Sequence, residues 1–254
     1  MIRFQIYKSK KMNDMKKETT NTPEALLEPG LNTSPCSRSF FLSVLGLGAA
    51  SAVGLAACST DDYMMIPNMG GATLDFKDDT GVLNYAYALE QLEAAFYIKV
   101  AAAPPNAFTA TQKNYFQDVQ YHEIAHREFF KKALGSNAIP ALEVDFSSIN
   151  FTDAASVWAA AKAFEDLGVA AYNGAGVRIK TDAYLVVAGQ IVSVEARHAA
   201  WVHDQISNGS FADLNDLVAL DANNSGGLDG ALTPDKVLPI AQKYIKTKIN
   251  VINL

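Results

Sequence analysis

Four stretches of this chain repeat apolar residues at offsets of three and four, and each sets a glutamate into its apolar stripe. On the second stretch Phe116, Val119, Glu123, His126, Phe130 and Ala133 share a helical face; on the fourth, Leu185, Ala188, Val192, Glu195, His198, Val202 and Ile206 do. The first aligns Leu83, Tyr87, Glu90, Glu93 and Tyr97, and the third Trp158, Glu165, Val169 and Tyr172. No Lys or Arg falls on these stripes. A carboxylate on a buried stripe is costly unless it is paired or coordinates a metal. Four of them converging without cations would also repel one another. A pair of divalent ions at the meeting point of four helices removes both costs.

Punctuation residues set the helix limits. The first helix is expected over about Thr80–Ala102, stopped by Pro104-Pro105. The second is expected over Thr111–Leu134, ending at Gly135, and the third over Ala154–Ile179 behind a capping Thr152 or Asp153. The fourth is expected over Asp182–Ser207 and a short fifth over Pro234–Lys248. Short first and third connections make antiparallel hairpins, and the long Gly135–Asp153 connection can cross the end of a bundle. Strand signals are sparse; the extended hint at Val144–Phe151 is read as crossover. The expected fold is all-α: a four-helix bundle with one long crossover between helices 2 and 3, plus a short C-terminal helix.

The chain has only four histidines, and His126 and His198 each follow a glutamate by three residues, in Glu123–His126 and Glu195–His198. Tyr97 and Tyr172 each stand seven residues after a glutamate, Glu90 and Glu165, and each of those helices precedes one bearing Glu-x-x-His. The chain therefore reads as one helix hairpin used twice, with two half-sites around a pseudo-twofold axis. His122 and His203 fall off the stripes and are expected at the surface or behind the site. Tyr87, Tyr97 and Tyr172 are either hydrogen-bond partners of the carboxylates or space-fillers.

The set Glu90, EIAH (Glu123–His126), Glu165 and EARH (Glu195–His198) on four successive helices resembles the di-iron carboxylate site of the ferritin-like superfamily. The stretch LEQLEAAFY, together with the export signal described below, resembles the exported ferritin-like proteins grouped with desiccation-related proteins. The resemblance implies Glu123 and Glu195 as metal-bridging carboxylates, His126 and His198 as terminal nitrogen ligands, and Glu90 and Glu165 as terminal carboxylates. Glu93, one turn from Glu90, can replace or supplement it. The implied cofactor is two iron ions, with manganese or a mixed pair open. The implied partner is a small oxidant such as oxygen or peroxide. The resemblance leaves open whether the site oxidises ferrous iron or reduces peroxide, or belongs to a non-catalytic, stress-protective metal-binding module.

The N-terminus reads as an address. Lys8, Lys10, Lys11, Lys16, Lys17 and Arg38 precede the uncharged run Phe40–Ala57, which ends in Leu55-Ala56-Ala57-Cys58. That ending resembles a bacterial lipobox and implies lipidation at Cys58; an uncleaved membrane anchor is the alternative. The expected organisation is 1–58 signal peptide, 59–81 linker, 82–207 bundle and 208–254 C-terminal loop with a short helix. The mature domain would be exported and lipid-anchored in the cell envelope, at the periplasm or outer membrane surface. The net charge of −6 argues against a nucleic-acid partner. Asp221–Asp229 resembles the start of a calcium loop, but Leu232 stands where a bidentate Glu is required, so it reads as a turn-rich loop.

Overall fold

The computed structural model describes residues 71–213 and 227–254. The expected signal segment with Cys58 and most of the Asp221–Asp229 loop lie outside the described residues. The described elements run β1 (Ala72–Asp75), α1 (Asp79–Ala102), α2 (Ala110–Leu134), α3 (Ala154–Ala175), α4 (Asp182–Ile206), α5 (Pro234–Ala241) and β2 (Ile249–Ile252). No helix among the described residues is long and apolar enough to cross a membrane.

Capping chemistry explains where the long helices begin. The Asp78 side chain accepts from the Thr80 N–H. Thr109 and Gln112 close a reciprocal capping box. Of the two capping candidates for α3, Asp153 is the one used, accepting from the N–H groups of Ala155 and Ser156. At the far end of α2, Gly135 takes φ 54°, a conformation that a residue with a side chain rarely adopts.

The helices pack as two hairpins, α1 with α2 and α3 with α4, and the long crossover joins them. α1 and α3 are inner helices. α1 is buried almost all round from Gly81 to Tyr97, where the sequence led us to expect a single buried stripe. Its back carries two buried amides that hold the crossover. The Asn84 side chain donates to Asn137 O at 2.9 Å and accepts from the Ile139 N–H at 2.7 Å; Gln91 accepts from the Leu142 N–H at 2.8 Å. These bonds satisfy backbone groups that the buried crossover would otherwise leave orphaned. α3 is covered by the segment that follows Gly227, whose Leu232 N–H donates to Ala170 O at 2.9 Å.

That approach depends on Gly174. A Cβ there would lie 1.9 Å from Leu232 O, which is backbone and cannot swing aside. Gly174→Ala is expected to destabilise the protein by about 1–3 kcal/mol, because inserted volume forces the backbone apart. Thermal melting beside a Gly189→Ala control, where nothing lies within 4 Å, reads this; equal melting temperatures would contradict it.

Several expectations are corrected. The fifth helix stops at Ala241 rather than reaching Lys248; a 3-10 turn over Gln242–Tyr244 follows, and then β2. β2 pairs in parallel with β1, Ala72 opposite Ile249 through Asp75 opposite Ile252. The end of the expected 59–81 linker is thus part of the folded body. The β-branched alternation Ile245, Thr247, Ile249, Val251 carried this signal, but a four-residue strand shows it only once its partner is known. Val144 in the crossover makes an isolated antiparallel bridge to Ile245, which accounts for its extended pattern. On α4 the buried positions are Val187, Ile191, Glu195, His198 and Val202, and Leu185 and Ile206 are exposed. On α2, Leu134 is buried beyond Phe130, while Ala133 is only half-buried. In both cases the apolar side chains offered two adjacent stripes, and packing against the neighbouring helices decided between them.

Candidate metal centre

α1 and α3 each bring one glutamate to the centre of the bundle, and α2 and α4 each bring a glutamate and a histidine. Glu90, Glu123, Glu165 and Glu195 are all fully buried at 0 % exposure. Their oxygens sort around the two histidines. Nδ1 of His126 lies 2.8 Å from Glu195 Oε1, 3.5 Å from Glu90 Oε2 and 3.6 Å from Glu123 Oε2. Nδ1 of His198 lies 3.1 Å from Glu123 Oε1, 3.4 Å from Glu195 Oε2 and 3.5 Å from Glu165 Oε2. Glu123 and Glu195 therefore each offer one oxygen to the His126 side and the other to the His198 side. Glu90 serves only the first side and Glu165 only the second. Two four-atom sets result, each of three oxygens and one nitrogen, all within 4.8 Å of one another.

None of those eight atoms hydrogen-bonds to a described residue outside the two sets. Buried polar atoms are ordinarily satisfied, so eight orphans gathered at one place mark donor atoms aimed at something else. Three oxygens and an imidazole nitrogen per position suit a divalent iron or manganese ion. The residues fit the pair of ions that the sequence pattern called for.

The supporting hydrogen bonds cross between the hairpins. Tyr172 on α3 donates to Glu90 Oε1 on α1, and Tyr97 on α1 donates to Glu165 Oε1 on α3. Each bond occupies Oε1 of its glutamate and leaves Oε2, the oxygen that belongs to a four-atom set, pointing inward. Of the three tyrosines in question, Tyr97 and Tyr172 are carboxylate partners; Tyr87 makes no such bond. Glu93 is buried but belongs to neither four-atom set. Its carboxyl sits where a side chain on Gly168 would be, an added Cβ there meeting Glu93 Oε1 at 2.8 Å. Gly168 follows Glu165 as Glu93 follows Glu90, by three residues, so one half of the repeat omits a side chain to house the other's carboxyl.

His203 is buried and hydrogen-bonds Asp166 Oδ1 at 2.7 Å, away from both sets. His122 is exposed, yet its Nδ1 lies 2.9 Å from Nε2 of His198. Sequence reasoning gave His122 no particular partner, because its position off the stripe shows only that it does not face the core.

Without a cation, protons balance this cluster. Burial pushes the carboxyls of Glu90 and Glu165 up to about 8, although His126 and His198 oppose it. Burial acts on Glu123 in the same sense, but hydrogen bonding and charge from both imidazoles outweigh it and hold that carboxyl near 2. Burial alone would lower the two histidines; the surrounding carboxylates instead raise both well above the ordinary imidazole value. An incoming ion must therefore displace protons from both histidines and from Glu90 and Glu165. Metal affinity is expected to rise as pH increases from about 6 to about 8, with protons released on binding. Calorimetry in buffers of different ionisation enthalpy measures the release, and binding without it would contradict this picture.

A family model described as a ferritin-like domain matches residues 78–208, a span that holds all four long helices and every atom of the two sets. No match to the chain was found among curated proteins.

Proposed function

The chain belongs to the ferritin-like domain family, and on that premise we propose that it holds two iron ions and turns over a small oxidant in the cell envelope. The observation that carries this reading is the division of the Glu123 and Glu195 oxygens between two histidines, with no inward donor atom hydrogen-bonded to a described residue outside the cluster. Glu123 and Glu195 would bridge, Glu90 with His126 would complete one position, and Glu165 with His198 would complete the other. A pair of ferrous ions held there would supply two electrons, the number needed to reduce one peroxide to water.

The protein's own part is positioning and exclusion. Tyr97 and Tyr172 orient the carboxylates of Glu165 and Glu90, and the complete burial of Glu90, Glu123, Glu165 and Glu195 keeps bulk water from the ligand oxygens. Oxidation of ferrous iron and reduction of peroxide are the two activities this supports best. The envelope location rests on the lipobox-like Leu55–Cys58, which would tether an acidic domain to a membrane surface through one lipidated cysteine.

The full chain expressed with iron and analysed by mass spectrometry should carry about two ions, as the two-position ligand set implies. It should then consume peroxide or ferrous iron at a rate lost in Glu123→Ala. Two bound ions with no turnover would leave a metal-stabilised, stress-protective bundle as the better reading. The complete burial of the four glutamates suits that outcome as well. Clearly less than one ion after reconstitution would end the metal reading.

A further inference from the structure

The two halves of the site match in their carboxylates and tyrosines but differ behind the histidines. On one side, Nε2 of His198 lies 2.9 Å from Nδ1 of His122, with the rings within 12° of parallel. On the other, no described residue hydrogen-bonds the outer nitrogen of His126, whose side chain is 13 % exposed against 5 % for His198. The repeat itself shows why. His122 precedes Glu123 as Val194 precedes Glu195, so the second copy has a hydrocarbon where the first has an imidazole.

We propose that the two metal positions are inequivalent. His122 accepts a hydrogen bond from His198 and so makes the His198 position the tighter one, leaving the His126 position as the one that exchanges. This rests on the metal reading of the site and deepens it. Nδ1 of His198 faces Glu123, Glu165 and Glu195, so an ion binds there through the Nδ1 lone pair and the ring proton must sit on Nε2. Nε2–H then donates to His122 Nδ1. That bond fixes the tautomer, holds the ring's orientation and makes the ligand nitrogen more basic. Among the described residues nothing does the same for His126, so none of them orients its ring through the outer nitrogen or fixes its tautomer there. Loss of such a partner typically costs about 10–100-fold in metal affinity, which is the separation expected between the two positions. His122 is a positioning residue here; it touches the ligand, not the ion.

The experiment is a cobalt(II) titration of metal-free, full-length protein, followed by absorption and by equilibrium metal content. Wild type should bind two ions in steps separated by about 10–100-fold. His198→Ala should remove the tighter step and His126→Ala the weaker. His122 is exposed, so His122→Val leaves the core intact. That variant should weaken only the tighter step, bringing the two together while the total stays at two. His122→Gln, which keeps an acceptor, should recover part of the separation. Equal steps in wild type, the reverse assignment of steps, or a His122→Val effect on both steps alike would overturn the proposal. Failure of wild type to bind cobalt at all would overturn the metal reading on which it rests.

Discussion

Protein carrying Glu123→Ala and Glu195→Ala together is expected to fall from about two bound ions to almost none, the largest change any pair of substitutions here should produce. Each of these side chains splits its oxygens between the two histidines, so each replacement takes a donor from both positions at once. The double variant leaves one carboxylate oxygen and one imidazole nitrogen per position, too few to hold a hard divalent ion against water. Glu90→Ala is the informative contrast. Its inner oxygen lies near His126 alone, so it should empty one position and leave about one ion bound. Metal content by mass spectrometry reads all three proteins, and circular dichroism establishes that each is folded. Near-normal metal in the double variant would mean that the ligands have been misidentified. Loss of both ions in Glu90→Ala would mean that the two positions do not fill separately.

Stripping the metal is expected to lower the melting temperature by roughly 15–30 °C. With free metal at about a thousand times the dissociation constant of the tighter position and about a hundred times that of the weaker, the two ions contribute about 4 and about 3 kcal/mol, and about 1 kcal/mol shifts a protein of this size by about 2–4 °C. The metal-free form should also respond to pH in a characteristic sense. The folded values of Glu90 and Glu165, about 8, exceed their ordinary 4.5, so the folded state holds protons that the unfolded chain has given up. The raised histidines act in the same direction, their contribution being full below 6.5 and lost as pH rises. Glu123 acts the other way, but only in acid, where its stabilisation is lost as pH falls from 4.5 toward 2. Between pH 5 and 8 the metal-free protein should therefore lose stability as pH rises. The loaded protein should not, because its ions have replaced those protons. Melting curves with and without chelator across that range test both statements. A metal-free protein that grows more stable with pH would show that the four carboxylates are balanced by something other than protons.

Much of this was legible because two periodicities coincided in the sequence. Helical spacing placed Glu90, Glu123, His126, Glu165, Glu195 and His198 on apolar stripes, and a buried charge needs a counter-charge wherever the helix ends up. Cap and breaker residues set the limits of the four long helices to within a few positions, since capping is decided by neighbours in the chain. The duplicated Glu-to-Tyr spacing showed the hairpin used twice before any packing was known.

What the sequence could not decide were relations between residues far apart in the chain. Spacing placed both Glu90 and Glu93 inward; only packing showed that Glu90 meets His126 while Glu93 fills the space left by Gly168. Tyr97 and Tyr172 could be recognised as a pair, but their exchange across the hairpins, each bonding the other's glutamate, requires α1 and α3 to lie side by side. The Ala72–Asp75 and Ile249–Ile252 strands, at opposite ends of the described chain, acquire their hydrogen bonds only from each other. His122 is the clearest case. Its place off the stripe excluded it from the core, and the neighbouring helix brought His198 within 2.9 Å of it. Periodicity along one helix fixes which way a side chain faces; the partner it meets there is set by how the helices pack.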